Sequence, residues 1–167
     1  MSTEKLKEKV LDSYNECKKD SLNEDDILLN TLHSLQKEFN GYIPLEAAEI
    51  LSELMDKPTS RINEVLTFYT MLSTKERGKY IIRVCKSLPC HVANGKKVID
   101  QLKKRLNIDF GETTEDRLFT LEQSSCLGLC GVSPVMLIND EAYGNLTPEK
   151  IEKIIDKIIE EERGASK

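Results

Sequence analysis

Four of the five cysteines fall into two closely spaced pairs, and thiols are well suited to bind a metal or exchange electrons. Cys85 and Cys90 form a C-x4-C pair, and Cys126 and Cys130 form a C-x3-C pair. Thiolates at such spacings hold zinc or iron–sulfur clusters in proteins. Cys17 stands apart from both pairs. A redox motif of the thioredoxin type would need C-x-x-C, which the sequence lacks.

The residues around the two pairs suit a negatively charged metal cluster. No Asp or Glu lies inside either pair, while Lys86 and His91 place potential positive charge beside the first one. Gly128 and Gly131 allow the second loop to turn and to bring backbone N–H groups close to sulfur. Spacing alone still leaves three alternatives open: a 2Fe–2S cluster, a structural zinc ion, or a dithiol pair or inert buried thiols.

The elements around the cysteines alternate between strand and helix. The pattern predicts strands at 80–85 and 117–122, a helix at 92–106, a hairpin of 135–139 and 141–144, and a last helix starting at Thr147-Pro148. A single crossover helix makes the first two strands parallel, so the loops that follow them leave the same end of the sheet. We therefore expect the thiols of both loops to converge there, two for each iron of a cluster.

The first part of the chain has only helical periodicity. A polar helix is predicted near residues 4–19, a second after the Asn23 cap, and others after Pro44 and Pro58. The second helix should end at Asn40-Gly41. The fold class is therefore α+β, with a helical bundle at 1–76 and an α/β domain at 79–163. Four residues of the bundle either line a partner interface or hold the bundle together: Tyr42, Ile43, Phe68 and Tyr69.

Composition excludes some functions. The net charge of −5 argues against nucleic-acid binding, which depends largely on Lys and Arg. No run of residues is long and apolar enough to span a membrane, and the first residues lack the layout of a secretory signal. We expect a cytoplasmic protein of bacterial or archaeal origin, in a compartment where cysteines serve as metal ligands or redox groups more often than as structural disulfides.

Several motifs along the chain resemble one known family, the small 2Fe–2S subunit of the NADH-oxidising module of respiratory complex I and of related hydrogenases and formate dehydrogenases. Besides the two cysteine pairs, the motifs are Gly41-Tyr-Ile-Pro-Leu-Glu-Ala-Ala, Val65-Leu-Thr-Phe-Tyr-Thr, Gly111-Glu-Thr-Thr, Phe119-Thr-Leu-Glu and Pro134-Val-Met-Leu-Ile-Asn. The resemblance covers residues 25 to 160. It implies a thioredoxin-like 2Fe–2S ferredoxin domain after the bundle.

The resemblance also implies a ligand set and a partner. Cys85 and Cys90 would bind one iron, and Cys126 and Cys130 the other. The partner would be a larger flavoprotein subunit with FMN and NAD(H), which exchanges single electrons with the cluster; this chain has no G-x-G-x-x-G fingerprint of its own. The chain would then be a non-catalytic subunit without a substrate site.

The assembly that we expect is a soluble NAD(H)-dependent hydrogenase complex that bifurcates electrons. The alternatives are a respiratory NADH:quinone oxidoreductase, an NAD-dependent formate dehydrogenase and, in another class, a zinc-stabilised scaffold. A free-standing dithiol reductase is a further alternative.

Overall fold

A computed structural model describes residues 3–21 and 23–165 of the chain. The chain divides into two compact units, Met1–Arg77 and Gly78–Lys167, which we call the helical unit and the sheet unit. The division into domains at residues 1–76 and 79–163 stays a prediction.

The helices of the helical unit follow the apolar periodicity of the sequence. In the described part they are α1 (Thr3–Asp20), α2 (Glu24–Glu38), α3 (Leu45–Leu54) and α4 (Thr59–Phe68). Their inward faces share one core, which consists of Leu6, Val10, Leu28, Leu32, Leu35, Phe39, Ile43, Ala47, Ala48, Leu51, Ile62, Leu66 and Leu72. The predicted N-terminal helices are confirmed.

Both ends of α2 carry the signals expected from the sequence. The Asn23 side chain accepts a hydrogen bond from the backbone N–H of Asp26 at 2.9 Å, which satisfies one free donor of the first turn. At the other end Asn40 and Gly41 have φ angles of 55° and 95°. The Gly41 N–H donates to the Gln36 carbonyl at 2.7 Å and thereby ends the helix.

The sheet unit contains the predicted strands and helices. Its described elements are β1 (Tyr80–Cys85), a helical turn α5 (Leu88–Cys90), a π-helical turn (His91–Gly95), α6 (Lys96–Leu106), β2 (Phe119–Ser124), a 3-10 turn (Cys130–Val132), β3 (Met136–Ile138), β4 (Glu141–Tyr143) and α7 (Pro148–Ala165). Its main core consists of Ile82, Val84, Val98, Leu102, Leu106, Phe119, Leu121, Met136, Ile138, Leu146, Ile151, Ile155 and Ile158.

The strand order β2-β1-β3-β4 places β1 in the interior of the sheet. β1 and β2 run parallel, as the crossover helix predicts, with Tyr80 opposite Phe119 and Cys85 opposite Ser124. β3 pairs antiparallel with both β1 and β4. The predicted fold class, a mixed helix and sheet protein with N-terminal helices, is confirmed.

Two predicted boundaries were wrong. The second strand begins at Phe119 rather than Arg117, because Arg117 has a left-handed φ of 55° and belongs to a turn. In that turn the Asp116 carboxylate accepts a hydrogen bond from the Leu118 N–H at 3.0 Å. The helix predicted from Val92 is interrupted by Ala93 and Asn94, whose dihedrals are not helical, so a short helical turn at Leu88–Cys90 precedes α6, which begins at Lys96.

None of the helices in the described ranges has both the length and the apolar composition that crossing a bilayer requires.

Candidate metal centre

The ends of two parallel strands place the cysteine loops side by side. Cys85 is the last residue of β1, and its neighbour in the register, Ser124, is the last residue of β2. Cys126 follows two residues later. The Lys86 N–H donates to the Ser124 carbonyl at 3.0 Å, so the two segments of the chain stay hydrogen-bonded as they leave the sheet. The predicted convergence of both loops at one end of the sheet is confirmed.

The first cysteine loop, residues 85–95, packs against its own backbone. Cys90 lies in the α5 turn, and the π-helical turn that follows includes Asn94 in the left-handed region, with a φ of 66°. Gly95 packs against the backbone of Cys90. A Cβ atom at position 95 would lie 2.5 Å from the Cys90 carbonyl oxygen, so this position accommodates only glycine without displacing the chain.

Both thiols of the first loop are buried. Cys85 is 3% exposed and Cys90 is 1% exposed. These sulfurs form a small apolar cluster with Val135 and with two side chains of the second loop, Leu127 and Leu129. The second loop therefore covers the thiols of the first.

The second cysteine loop, residues 126–132, exposes its own thiols. Cys126 and Cys130 are both exposed, and their sulfurs are 3.8 Å apart. Two thiolates bound to one tetrahedral metal, with metal–sulfur bonds of about 2.3 Å, lie about 3.8 Å apart. Gly128, with a φ of 77°, turns the loop so that its N–H donates to the Cys126 sulfur at 3.5 Å. This pair already has the separation that one metal requires.

Hydrogen bonds and charges connect the thiols of the two loops. Burial raises the pKa of the Cys85 thiol, but hydrogen bonds from the backbone of Ser87 and Leu127 outweigh burial and leave the pKa below its usual value. The hydrogen bond with Cys126 is the main cause of the raised pKa of Cys130, and charge on Cys90 and Cys85 contributes to it. All four thiols thus lie near enough to affect one another.

Sequence reasoning missed Ser133, which contacts both loops. Its hydroxyl donates to the Cys130 carbonyl at 2.8 Å, and the Cys90 thiol donates to the Ser133 hydroxyl oxygen at 3.5 Å. The following Ser133–Pro134 peptide bond is cis. The one sequence signal for Ser133 is its place three residues after Cys130, beside Pro134.

The donor set fits a 2Fe–2S cluster. The thiols stand as two pairs, one in each cysteine loop. A 2Fe–2S cluster takes two thiolates at each iron, whereas a structural zinc site takes four around one ion. Lys86 and His91 are exposed beside the first pair. Cys17 lies in α1 of the helical unit.

Comparisons with known proteins agree with this geometry. A family model described as thioredoxin-like [2Fe-2S] ferredoxin matches residues 9–159. A subunit of the NADH-quinone oxidoreductase of Rickettsia felis is 41% identical over 130 residues, which are 78% of this chain and 78% of that protein. The HndA subunit of the NADP-reducing hydrogenase of Solidesulfovibrio fructosivorans is 34% identical over 128 residues, 77% of this chain and 74% of that protein.

A solved structure resembles the chain in fold. The air-oxidised NAD+-reducing [NiFe]-hydrogenase superposes with a TM-score of 0.68 at 24% identity. The match covers 80% of this chain but only 23% of that hydrogenase chain. At this identity the likeness concerns the fold alone.

Proposed function

The chain belongs to the thioredoxin-like [2Fe-2S] ferredoxin family, and on this premise we propose that it is an electron-transfer subunit of an NAD(H)-dependent oxidoreductase complex. Family membership also selects the cofactor among the alternatives that spacing left open: it is a 2Fe–2S cluster, not zinc. When bound, such a cluster accepts and returns one electron at a time. The observation that carries the proposal is that both cysteine loops leave the same end of the sheet, where the second packs on the thiols of the first.

We assign Cys85 and Cys90 to one iron and Cys126 and Cys130 to the other. The separation of 3.8 Å between the Cys126 and Cys130 sulfurs supports the second pair. The burial of Cys85 and Cys90 in one small cluster with Val135 supports the first. The backbone N–H groups of Ser87, Leu127 and Gly128 point at sulfur and would stabilise the negative charge of the loaded site.

The surface beside the cysteines suits contact with a redox partner. Leu88 and Val92, which flank Cys90, are 73% and 74% exposed. Exposed apolar side chains that cluster beside a functional site are typical of protein contacts. We propose that this surface meets a larger flavoprotein subunit that binds FMN and NADH, and that single electrons pass between its flavin and this cluster. The chain itself would have no substrate site.

The larger assembly that we propose is a hydrogenase complex that uses NAD(H) and bifurcates electrons. The relative that supports it is the HndA subunit of an NADP-reducing hydrogenase, at 34% identity. A second candidate is a respiratory NADH:quinone oxidoreductase, which is favoured by the 41% identity with the Rickettsia felis protein. Purification of the native complex would distinguish them: hydrogen-dependent NAD reduction supports the first, and quinone reduction by NADH supports the second.

Electron exchange can be tested with the purified, iron-loaded chain. Dithionite should bleach its visible absorption and produce an S = 1/2 EPR signal. NADH should produce the same signal only when the flavoprotein subunit is also present. A loaded chain that NADH and flavoprotein together fail to reduce would contradict the proposed exchange.

The ligand assignment needs a separate test. Single Cys→Ser variants at positions 85, 90, 126 and 130 should each lose most of the bound iron, because serine is a much poorer ligand for iron than a thiolate. Cys17→Ser is the matched control and should keep the iron content and the spectrum of the unmodified chain. If Cys17→Ser loses as much iron as the others, the assignment is wrong.

A further inference from the structure

A groove opens between α2 and α4 of the helical unit. Its volume is about 330 Å³. Its apolar lining residues, which we call the floor, are Leu28, Leu29, Val65, Phe68 and Tyr69. Its charged lining residues, which we call the rim, are Asp25, Asp26, Arg61 and Glu64. We call this feature the α2–α4 groove.

Phe68 is the most unusual residue of the groove because the bundle does not bury it. It ends α4 and is 75% exposed, whereas its neighbour Tyr69 packs against the bundle core. The two rings meet edge to face, with centroids 5.0 Å apart. Ile43, another residue of the predicted interface set, is fully buried and belongs to the bundle. Phe68 therefore remains available for a contact outside the unit.

The rim of the groove is negatively charged. Three carboxylates and one guanidinium leave a formal charge of −2. Arg61 is already engaged by two of the carboxylates, Asp25 at 3.2 Å and Glu64 at 2.8 Å. Asp25 and Asp26 lie in the first turn of α2, where they stabilise the helix. Glu64 lies beyond the first turn of α4 and gains no such benefit, so the helix dipole does not account for the whole rim.

We propose that the α2–α4 groove is a second docking site for the flavoprotein partner and that it receives a segment with an apolar anchor flanked by Lys or Arg. The inference rests on the proposed function, since it takes its partner from there. The apolar floor and the exposed ring of Phe68 accommodate the anchor, and the rim carboxylates attract the basic flanks.

Charge argues against the other occupants. A second copy of the chain would bring an identical acidic rim against this one in a symmetric contact, which is repulsive. Anionic lipid headgroups and nucleic-acid phosphates would also be repelled.

The test is the affinity of the iron-loaded chain for the flavoprotein subunit, measured by titration calorimetry. Phe68→Ser should raise Kd by at least about tenfold, the size expected for loss of an aromatic anchor. The matched control is Leu45→Ser, which removes an apolar side chain that is 60% exposed on α3 and does not line the groove. This variant should leave Kd unchanged, and both variants should keep the circular dichroism and EPR spectra of the unmodified chain.

The charge component has its own variant. Asp25→Asn with Glu64→Gln reduces the formal charge of the rim from −2 to zero, while Asp26 still accepts its hydrogen bond from Asn23. Salt should weaken binding of the unmodified chain, because it screens charged contacts. Binding of the double variant should depend less on salt.

Each contrary outcome identifies what is wrong. If Phe68→Ser binds as tightly as the unmodified chain, or if Leu45→Ser is weakened equally, the groove proposal is overturned and the proposed function stands. If the unmodified, loaded chain does not bind the flavoprotein, the proposed function is rejected together with this occupant. If the chain alone sediments as a dimer that Phe68→Ser dissociates, the occupant is a second copy and the proposal is wrong.

Discussion

The two cysteine loops reach the same end of the sheet, but the protein encloses them differently. The first presents Cys85 and Cys90 from the interior, at 3% and 1% exposure. The second carries Cys126 and Cys130 at the surface, yet its leucines cover the first pair. The first loop is therefore organised by packing. We infer that the second depends more on the cluster, because few buried contacts hold its thiols in place.

This difference has a consequence for electron transfer. The iron held by the exposed pair would lie nearer the surface. The iron held by the buried pair would have the drier surroundings and the N–H donors from Ser87 and Leu127. Exposure and hydrogen bonding to sulfur are two of the properties that set the potential of a cluster.

The largest predicted difference between the loops is in thiol reactivity without the cluster. In the metal-free protein, iodoacetamide should modify Cys126 and Cys130 more than about tenfold faster than Cys85 and Cys90, because buried thiols react only after local opening. The lowered pKa of Cys85 increases its thiolate fraction, but the reagent cannot reach the sulfur, so burial decides the rate. Peptide mass spectrometry over a time course measures the rates. Equal rates at all four sites would show that the first loop is open.

The next difference concerns the glycines of the two loops. Gly95→Ala should destabilise the metal-free protein by about 1–3 kcal/mol, the usual cost of overpacking. The new Cβ would lie 2.5 Å from the Cys90 carbonyl oxygen and 3.0 Å from its carbon, and backbone atoms cannot yield easily. Gly131→Ala in the second loop is the matched control, since a Cβ there meets nothing within 4 Å. Urea unfolding measures both, and a neutral Gly95→Ala would contradict the tight packing of the first loop.

The smallest predicted effect concerns Ser133, which joins the loops. Ser133→Ala should lower the free energy of unfolding by about 0.5–1.5 kcal/mol, the net value of one hydrogen bond. The exposed Ser125→Ala is the control and should be neutral. In the loaded protein we expect the reduction potential to stay unchanged, because the hydroxyl proton is engaged by the Cys130 carbonyl at 2.8 Å. A shifted potential would show that the hydroxyl donates to the Cys90 sulfur instead.

Much of the fold was predictable because its signals are local. The Asn23 cap, the Asn40-Gly41 stop and the strand at 80–85 each depend on a few neighbouring residues, and each is confirmed. The two wrong boundaries also had local causes that periodicity alone does not reveal. A left-handed Asn94 separates a short helical turn from α6, and a left-handed Arg117 delays β2.

The placement of the cysteine loops was predictable, but their enclosure was not. Strand order alone indicated that both loops leave the same end of the sheet. The sequence around Gly95 does not show that this residue lies against the carbonyl of Cys90, because the contact arises only when the loop turns back on itself. Ser133 likewise acts on Cys90 from 43 residues away.

The sequence by itself determined which thiols are paired, which segments are helices and strands, and which family the chain resembles, because spacing and periodicity are written in neighbouring residues. Only the tertiary structure decided that one pair is buried and the other exposed, and that Phe68 is left outside the bundle core. The physical reason is that exposure depends on which distant side chains cover an atom. For the first pair these side chains are Leu127, Leu129 and Val135, which α6 and β2 separate from Cys90 along the chain.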